Sequence, residues 1–295
     1  MTILRGPLDG LRVAITRSPD RAGALADALA AAGAEPVLVP VIDFEVADND
    51  ALGVALRRLS AGDYRWLVIS SITTVRALKQ WCEGAGTSLS ELIPAGTSVA
   101  TIGPTSAAVL AAEGIHAELA PVDIQSAAGL VELWPEFEPN TLSLSSNNKI
   151  LLPQSNLAEA TLVTGMNAKG WDSEIVTAYQ TVHYPAKAEL RLQATLNNSQ
   201  GHTNAGYPVL TPAQAAGEIA AGAIGAVVLA SGSAARRVAE TMAPLTDNCL
   251  VIAIGQPTQL EAHRLGLRVA ATAKHPTPEG IVAALAQAHT NFHTQ

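Results

Sequence analysis

Runs of Val, Ile and Leu at 12–16, 37–42, 66–70, 98–102, 150–152, 174–178, 226–230 and 250–254 predict strands. Between them lie Ala-, Leu- and Arg-rich segments with apolar residues three or four apart. Leu25 with Leu29, and Val75 with Leu78, mark two such stretches. That spacing predicts helices with one apolar face. Strand alternating with helix predicts parallel sheets covered on both faces, an α/β fold. Pro135–Asn148 and Asn197–Pro212 are polar and turn-rich and predict surface insertions. The tail after Ala288 is expected to fray.

The pattern repeats. RVAITRSPDRAGALADALAAAGAEPVLVPVI (12–42) aligns without a gap on KILLPQSNLAEATLVTGMNAKGWDSEIVTAY (149–179). Each reads as strand, turn, helix ending at a glycine (Gly33, Gly170) and a second extended run. WLVISSITTVRAL (66–78) matches AVVLASGSAARRV (226–238), and VATIGPTSAAVLAAEGI (99–115) matches VIAIGQPTQLEAHRLGL (251–267). The period is too long for a solenoid and implies two copies of one α/β domain, with a cleft expected between them. Named A, B and C, the segments run A, B, C, A, B, C. Two sequential domains are one reading. In the other, each A segment joins the B and C segments of the opposite half. The chain then crosses near Asp43–Val46 and Gln180–Tyr184, where FEV and TVHY are extended. Two such crossings side by side would form a short antiparallel hinge, and closure about it is an expectation of this reading. The sequence leaves both readings open.

A chain of 295 residues has length enough for two domains, and aromatics at 4% leave Ala, Val, Leu and Ile to form the core. A net charge of −8 argues against general nucleic-acid binding, though local clefts can still be basic. Cys82 and Cys249 form neither a metal spacing nor a disulfide framework, so a reduced, cytoplasmic setting is expected. The N-terminus lacks a basic head followed by a long apolar core, so no signal peptide is expected. The most apolar stretch, 213–230, carries Glu218 and several glycines and fails as a membrane span.

TRSPDRAG after the first strand and PQSNLAEA after its counterpart carry no G-x-G-x-x-G, and no phosphate-binding loop motif is present. No cofactor and no metal are expected, because His116, His183, His202, His263 and His275 are scattered. What recurs is a small polar turn between strand and helix: Ser70, Ser71, Thr73 and Thr74; Gly103-Pro104-Thr105-Ser106; Ser231 and Ser233; Gly255-Gln256-Pro257-Thr258. Such residues cap helices. Turns beyond the carboxyl ends of parallel strands also hold ligands, and helix N-termini favour anions. Gly103 and Gly255 would let a ligand approach the backbone closely. Together they suit a ligand with many carboxylates.

Thr16-Arg17, the serine turns at Ser71 and Ser231, IGPT at 102–105, IGQPT at 254–258, AYQT at 178–181 and PTPEG at 276–280 together resemble the uroporphyrinogen-III synthase family. The resemblance covers about 12–288. It implies two similar flavodoxin-like/Rossmann-like α/β domains with parallel sheets, joined by a two-stranded antiparallel linker. One domain would hold 1–42 plus 185–295 and the other 47–179, with crossings near 43–46 and 180–184. It also implies a cofactor-free, monomeric lyase that closes hydroxymethylbilane, an octacarboxylate, into uroporphyrinogen III with loss of water and inversion of ring D. Tyr179 matches the family's tyrosine and, ending its segment beside a crossing, is expected to face the cleft, either donating a hydrogen bond or proton to the departing hydroxyl or only shaping the pocket. Ser71, Thr73, Gly103, Ser106, Ser231, Ser233, Gly255 and Thr258 become candidate substrate contacts, and Arg17 a carboxylate partner. PQSN departs from the family's pattern and leaves Gln154 and Ser155 doubtful. The serines of ASGS are offset from those of SSIT, so the choice between Ser231 and Ser233 stays open. The competing readings are a non-enzymatic binder of a small anionic ligand, and another Rossmann-like enzyme, against which the missing glycine motif counts.

Overall fold

The computed structural model describes residues 6–47, 50–139, 147–197 and 206–293. In chain order the first elements are β1 (Arg12–Ile15), α1 (Pro19–Ala31), β2 (Glu35–Leu38) and β3 (Ile42–Val46). There follow α2 (Ala51–Ser60), β4 (Trp66–Ile69), α3 (Ile72–Ala85), α4 (Leu89–Leu92), β5 (Ser98–Thr101), α5 (Pro104–Ala112) and α6 (Ala127–Leu133). Next come β6 (Lys149–Ser155), α7 (Thr161–Ala168) and β7 (Asp172–His183). The chain ends with α8 (Pro212–Ala220), β8 (Ala226–Leu229), α9 (Gly232–Thr241), β9 (Leu250–Ala253), α10 (Gln256–Arg264), β10 (Val269–Thr272) and α11 (Pro278–His293).

Two five-stranded sheets result, in the orders β2-β1-β8-β9-β10 and β3-β7-β6-β4-β5. All four pairings of the first are parallel. So are β4–β5, β4–β6 and β6–β7 of the second. The fold is mixed α/β with parallel sheets. Each A segment therefore shares a sheet with the B and C segments of the opposite half. The run β2-β1-β8-β9 has the same succession of repeats as β7-β6-β4-β5.

Local chemistry explains the repeated helix. In α1, Pro19 supplies a preset φ in the first turn. Ala22, Leu25, Ala26 and Leu29 are all 2% exposed or less and fall on one face. Gly33 follows the helix at φ +93°, a conformation that a side chain disfavours, and turns the chain into β2. Gly170, at φ +85°, does the same after α7. Burying each such leucine contributes about 1.5–3 kcal/mol.

The described residues form two compact units. One takes those of Met1–Asp43, Val182–Pro185 and Gly201–Gln295, the other those of Phe44–Thr181 and Ala186–Gln200. The unit boundaries fall inside β3 and β7, which are neighbours in the second sheet. The expected extent of 185–295 for one domain differs from these units at 186–197, which pack with the other unit. Leu192 and Leu196 are buried in the core around α3. Arg76 on that helix donates to the carbonyls of Ala194 (2.9 Å) and Leu192 (3.0 Å).

Three further expectations change. Val269–Thr272 is a strand, β10, although its sequence VAAT is too short and small-sided to signal one. The tail does not fray after Ala288: α11 continues to His293, held by Ile281, Leu285 and Ala288 in the core. Of the two predicted insertions, 140–146 and 198–205 lie outside the described residues.

Candidate active site

In the unit built on the second sheet, β4 delivers the chain to Ser71, the N-cap of α3. Ser71 Oγ accepts the Thr73 amide at 3.1 Å, which satisfies one donor at the helix start. The same oxygen accepts the phenol of Tyr179 at 3.2 Å. Tyr179 stands near the end of β7, opposite Ser155 of β6 after a register shift. Its ring meets the edge of Phe44 at 5.6 Å between centroids. Tyr179 is 6% exposed and packs in the core cluster around α3. Thr73 is buried too, at 7%.

Gly103 is the N-cap of α5, and no side chain caps that helix. Its φ of 167° is extended backbone, so no strain calls for glycine. A Cβ there would instead stand 3.2 Å from Cβ of Gln125. Gln125 packs on that side of Gly103, and its amide donates to the Val122 carbonyl at 3.2 Å. Ser106 lies half-buried in the first turn of α5.

In the other unit, Ser231 is the N-cap of α9 and accepts the Ala234 amide at 3.1 Å. Ser233 is exposed and shares a hydrogen bond of 2.9 Å with Ser231. The cap role therefore falls to Ser231, the counterpart of Ser71. Gly255 is the N-cap of α10, again with no side-chain cap. Here the space for a Cβ is open, with Pro257 Cδ the nearest heavy atom at 3.9 Å. Gly255, buried Thr258, Thr272, Lys274 and Pro276 line a depression of about 620 Å3. A larger cavity in this unit, about 720 Å3, lies at the opposite ends of β9 and β10 and contains none of the candidate residues.

Arg17 follows β1 and is half-buried. Burial, and then the charge of Arg21, hold its pKa below the usual guanidinium value. No ion pair or hydrogen bond of its side chain is found among the described residues. A partly desolvated cation is stabilised by a carboxylate brought to it.

The structure thus joins Tyr179, Ser71 and Thr73 in one hydrogen-bonded group, Ser231 and Ser233 in a second, and Gly255 and Thr258 around one depression. Phe44, Gln125 and Lys274, which stand beside the candidate residues, carry no readable signal in the sequence. Among the described residues no group of His, Cys, Asp and Glu has the arrangement to hold a metal ion, and no helix is long and apolar enough to cross a membrane.

A family model for uroporphyrinogen-III synthase HemD matches residues 23–283, well over half of the chain. A protein of Methanothermobacter thermautotrophicus, named a candidate uroporphyrinogen-III synthase, is 26% identical over 174 residues. That match takes in 57% of this chain and 62% of the relative. The porphyrin biosynthesis protein HemD of Ruminiclostridium josui is 23% identical over 182 residues, 60% of this chain and 33% of that protein. The chain therefore spans less than two thirds of the length of either curated relative. Among solved structures, a mutant uroporphyrinogen III synthase of Thermus thermophilus superposes with a TM-score of 0.57 at 14% identity. It covers 95% of this chain and 99% of its own. The Helicobacter pylori enzyme gives 0.53 at 12% identity, over 94% of this chain and 98% of its own. At these identities the superpositions speak for the fold alone. The family match, in contrast, extends through both halves of the duplicated sequence, and on it the chain belongs to the uroporphyrinogen-III synthase family.

Proposed function

We propose that this protein is a uroporphyrinogen-III synthase, a lyase of tetrapyrrole biosynthesis that closes hydroxymethylbilane with loss of water and inversion of ring D. The observation that carries the reading is the Tyr179–Ser71 hydrogen bond, which joins β7 to the turn that follows β4. The Tyr179 phenol carries a hydrogen that it already donates to Ser71. The substrate's hydroxyl competes with Ser71 for the phenol hydrogen. As the C–O bond breaks, that proton leaves with the oxygen as water. The remaining azafulvenium carbon takes the electron pair of the substituted carbon of ring D, forming the new C–C bond. That carbon is then quaternary and has no proton to lose, so its bond to the original bridging methylene breaks. The unsubstituted α-carbon of ring D takes the freed azafulvenium methylene, which inverts the ring, and the proton lost from that carbon restores the pyrrole's aromaticity and the phenol.

Ser71, Thr73, Gly103, Ser106, Ser231, Ser233, Gly255 and Thr258 are assigned to substrate carboxylates, with Arg17 as the charged partner. The uncapped starts of α5 and α10 support this, since helix N-termini favour anions. Much of the rate enhancement is assigned to holding ring D in reacting geometry. The reaction requires no cofactor. The strand order of the first sheet, 2-1-3-4-5 when counted within its unit, supports a flavodoxin-like reading. The neighbouring crossings in β3 and β7 support a two-stranded linker between domains, and we read the protein as a cytoplasmic monomer.

The test is to supply freshly made hydroxymethylbilane, oxidise the products and separate the uroporphyrin isomers. The type I isomer forms without enzyme. A predominance of isomer III is the expected result. Isomer I alone from folded protein sinks the reading and favours a binder of a small anionic ligand.

A further inference from the structure

We infer that Thr101 is a positioning residue that sets the Tyr179–Ser71 pair, an inference that rests on the proposed reading of that pair as the reacting site. Thr101 is fully buried, and its hydroxyl donates to the Ile69 carbonyl at 2.7 Å. Ile69 is the last residue of β4, two before Ser71. On its β5 side, β4 is paired to its end, through Ile69 opposite Thr101. On its β6 side the register stops at Leu67 opposite Leu151. Beyond that point β6 carries Pro153, which has no N–H to give. The tip of β4 is therefore held from one side only, and the Thr101 hydroxyl adds to that hold. From the tip the path is short: Ile69, Ser70, then Ser71, whose oxygen receives the Tyr179 phenol.

The other unit has a similar clasp at a different place. Thr16 Oγ1 donates to the Val228 carbonyl at 2.8 Å and accepts the Ala230 amide at 3.2 Å. Val228 lies three residues before Ser231. By the repeat alignment Thr16 corresponds to Pro153, and Thr101 to Ala253. The two clasps therefore do not correspond in the duplication. In both units a threonine at a strand end ties down the strand that leads to a serine cap. Structure alone would be served by any packing side chain at 0% exposure; a hydroxyl aimed at the carbonyl before the reacting serine is more specific.

The experiment labels the four tyrosines with carbon-13 at Cζ and assigns the Tyr179 signal by its loss in Tyr179→Phe. Thr101→Val should move that signal and Thr101→Ser should return it. In the isomer assay Thr101→Val should lower kcat roughly tenfold with KM unchanged, within the loss that a misplaced reacting group produces. In a Tyr179→Phe background the same change should cost no further kcat. A Tyr179 signal unmoved by Thr101→Val, or an equal kcat loss in both backgrounds, overturns the inference. Wild-type protein yielding only isomer I would instead defeat the synthase reading, and the carbon-13 comparison would still decide the positioning claim. Thr101→Ala replaces the valine variant in every arm if that variant does not fold.

Discussion

Tyr179 donates its phenol hydrogen to Ser71 across 3.2 Å, although the two lie 108 positions apart in the chain. Ser71 Oγ also accepts the Thr73 amide, so one oxygen caps α3 and orients the phenol. The two duties can be separated. Ser71→Ala removes both and should destabilise the protein by about 0.5–2 kcal/mol, the usual cost of losing a cap. Tyr179→Phe keeps the cap and the ring's packing against Phe44, and should cost about 0.5–1.5 kcal/mol, one hydrogen bond. Urea unfolding of both variants checks the ranking. In the isomer assay the order should reverse, with Tyr179→Phe losing at least as much kcat as Ser71→Ala. A phenylalanine variant with wild-type kcat would leave the phenol with a structural role only.

The two glycine caps look alike in sequence and differ in their surroundings. At Gly255 the space for a Cβ is open, and its φ of −179° suits any residue. Gly255→Ala should therefore change stability by under about 0.5 kcal/mol. Any rise in KM then reports lost approach of substrate. At Gly103 an added Cβ meets Gln125 at 3.2 Å. Gly103→Ala should be the more destabilising of the pair, and Gln125→Gly should relieve part of that cost. Thermal melts of the three single variants and the Gly103→Ala, Gln125→Gly double variant measure this. Equal losses at both glycines, unrelieved by the change at Gln125, would count against the steric account.

Much of the fold was legible because duplication offered each signal twice. Gly33 and Gly170 both close a helix at positive φ, as the aligned segments predict. The pairing of β1 with β8 and β4 with β6 could not be read, because sequential and crossed domains satisfy the same hydrophobic pattern. Residues 186–197 escaped for a different reason. Only Leu192 and Leu196 mark their burial, and Arg76, which holds their backbone, sits over a hundred residues earlier. At the site, the serine turns were visible because caps obey local rules. The packing of Gln125 beside Gly103 was not, since it joins a helix start to a separate loop.

Both cysteines are buried, Cys82 at 1% and Cys249 at 7% exposure. Burial pushes each thiol up to about 11. The thiolate is the species that attacks alkylating reagents. At mildly alkaline pH the native protein should therefore resist iodoacetamide, and both thiols should react once it is unfolded. Mass spectrometry of samples quenched at successive times gives the count. Rapid modification of native Cys249 would mean that the loop before β9 opens more readily than its packing implies.

Glu261 on α10 accepts hydrogen bonds from Arg264 and from Arg236 of α9. These bonds hold its carboxyl down at about 2, against an ordinary value of 4.5. A folded-state pKa below the unfolded one means that the unfolded state binds the proton first. The stabilisation is therefore complete above about 4.5 and is lost as pH falls toward about 2. Its partners Arg236 and Arg264 are largely exposed, so salt should weaken the effect. Glu261→Gln should make the fall in stability between about pH 5 and pH 3 shallower than in the wild type, while Glu240→Gln, outside this carboxylate's contacts, should not reproduce that change. Urea midpoints across that range, at low and high salt, read the slope directly. Identical slopes for wild type and Glu261→Gln would mean that the arginine pair does not favour the ionised carboxylate in solution.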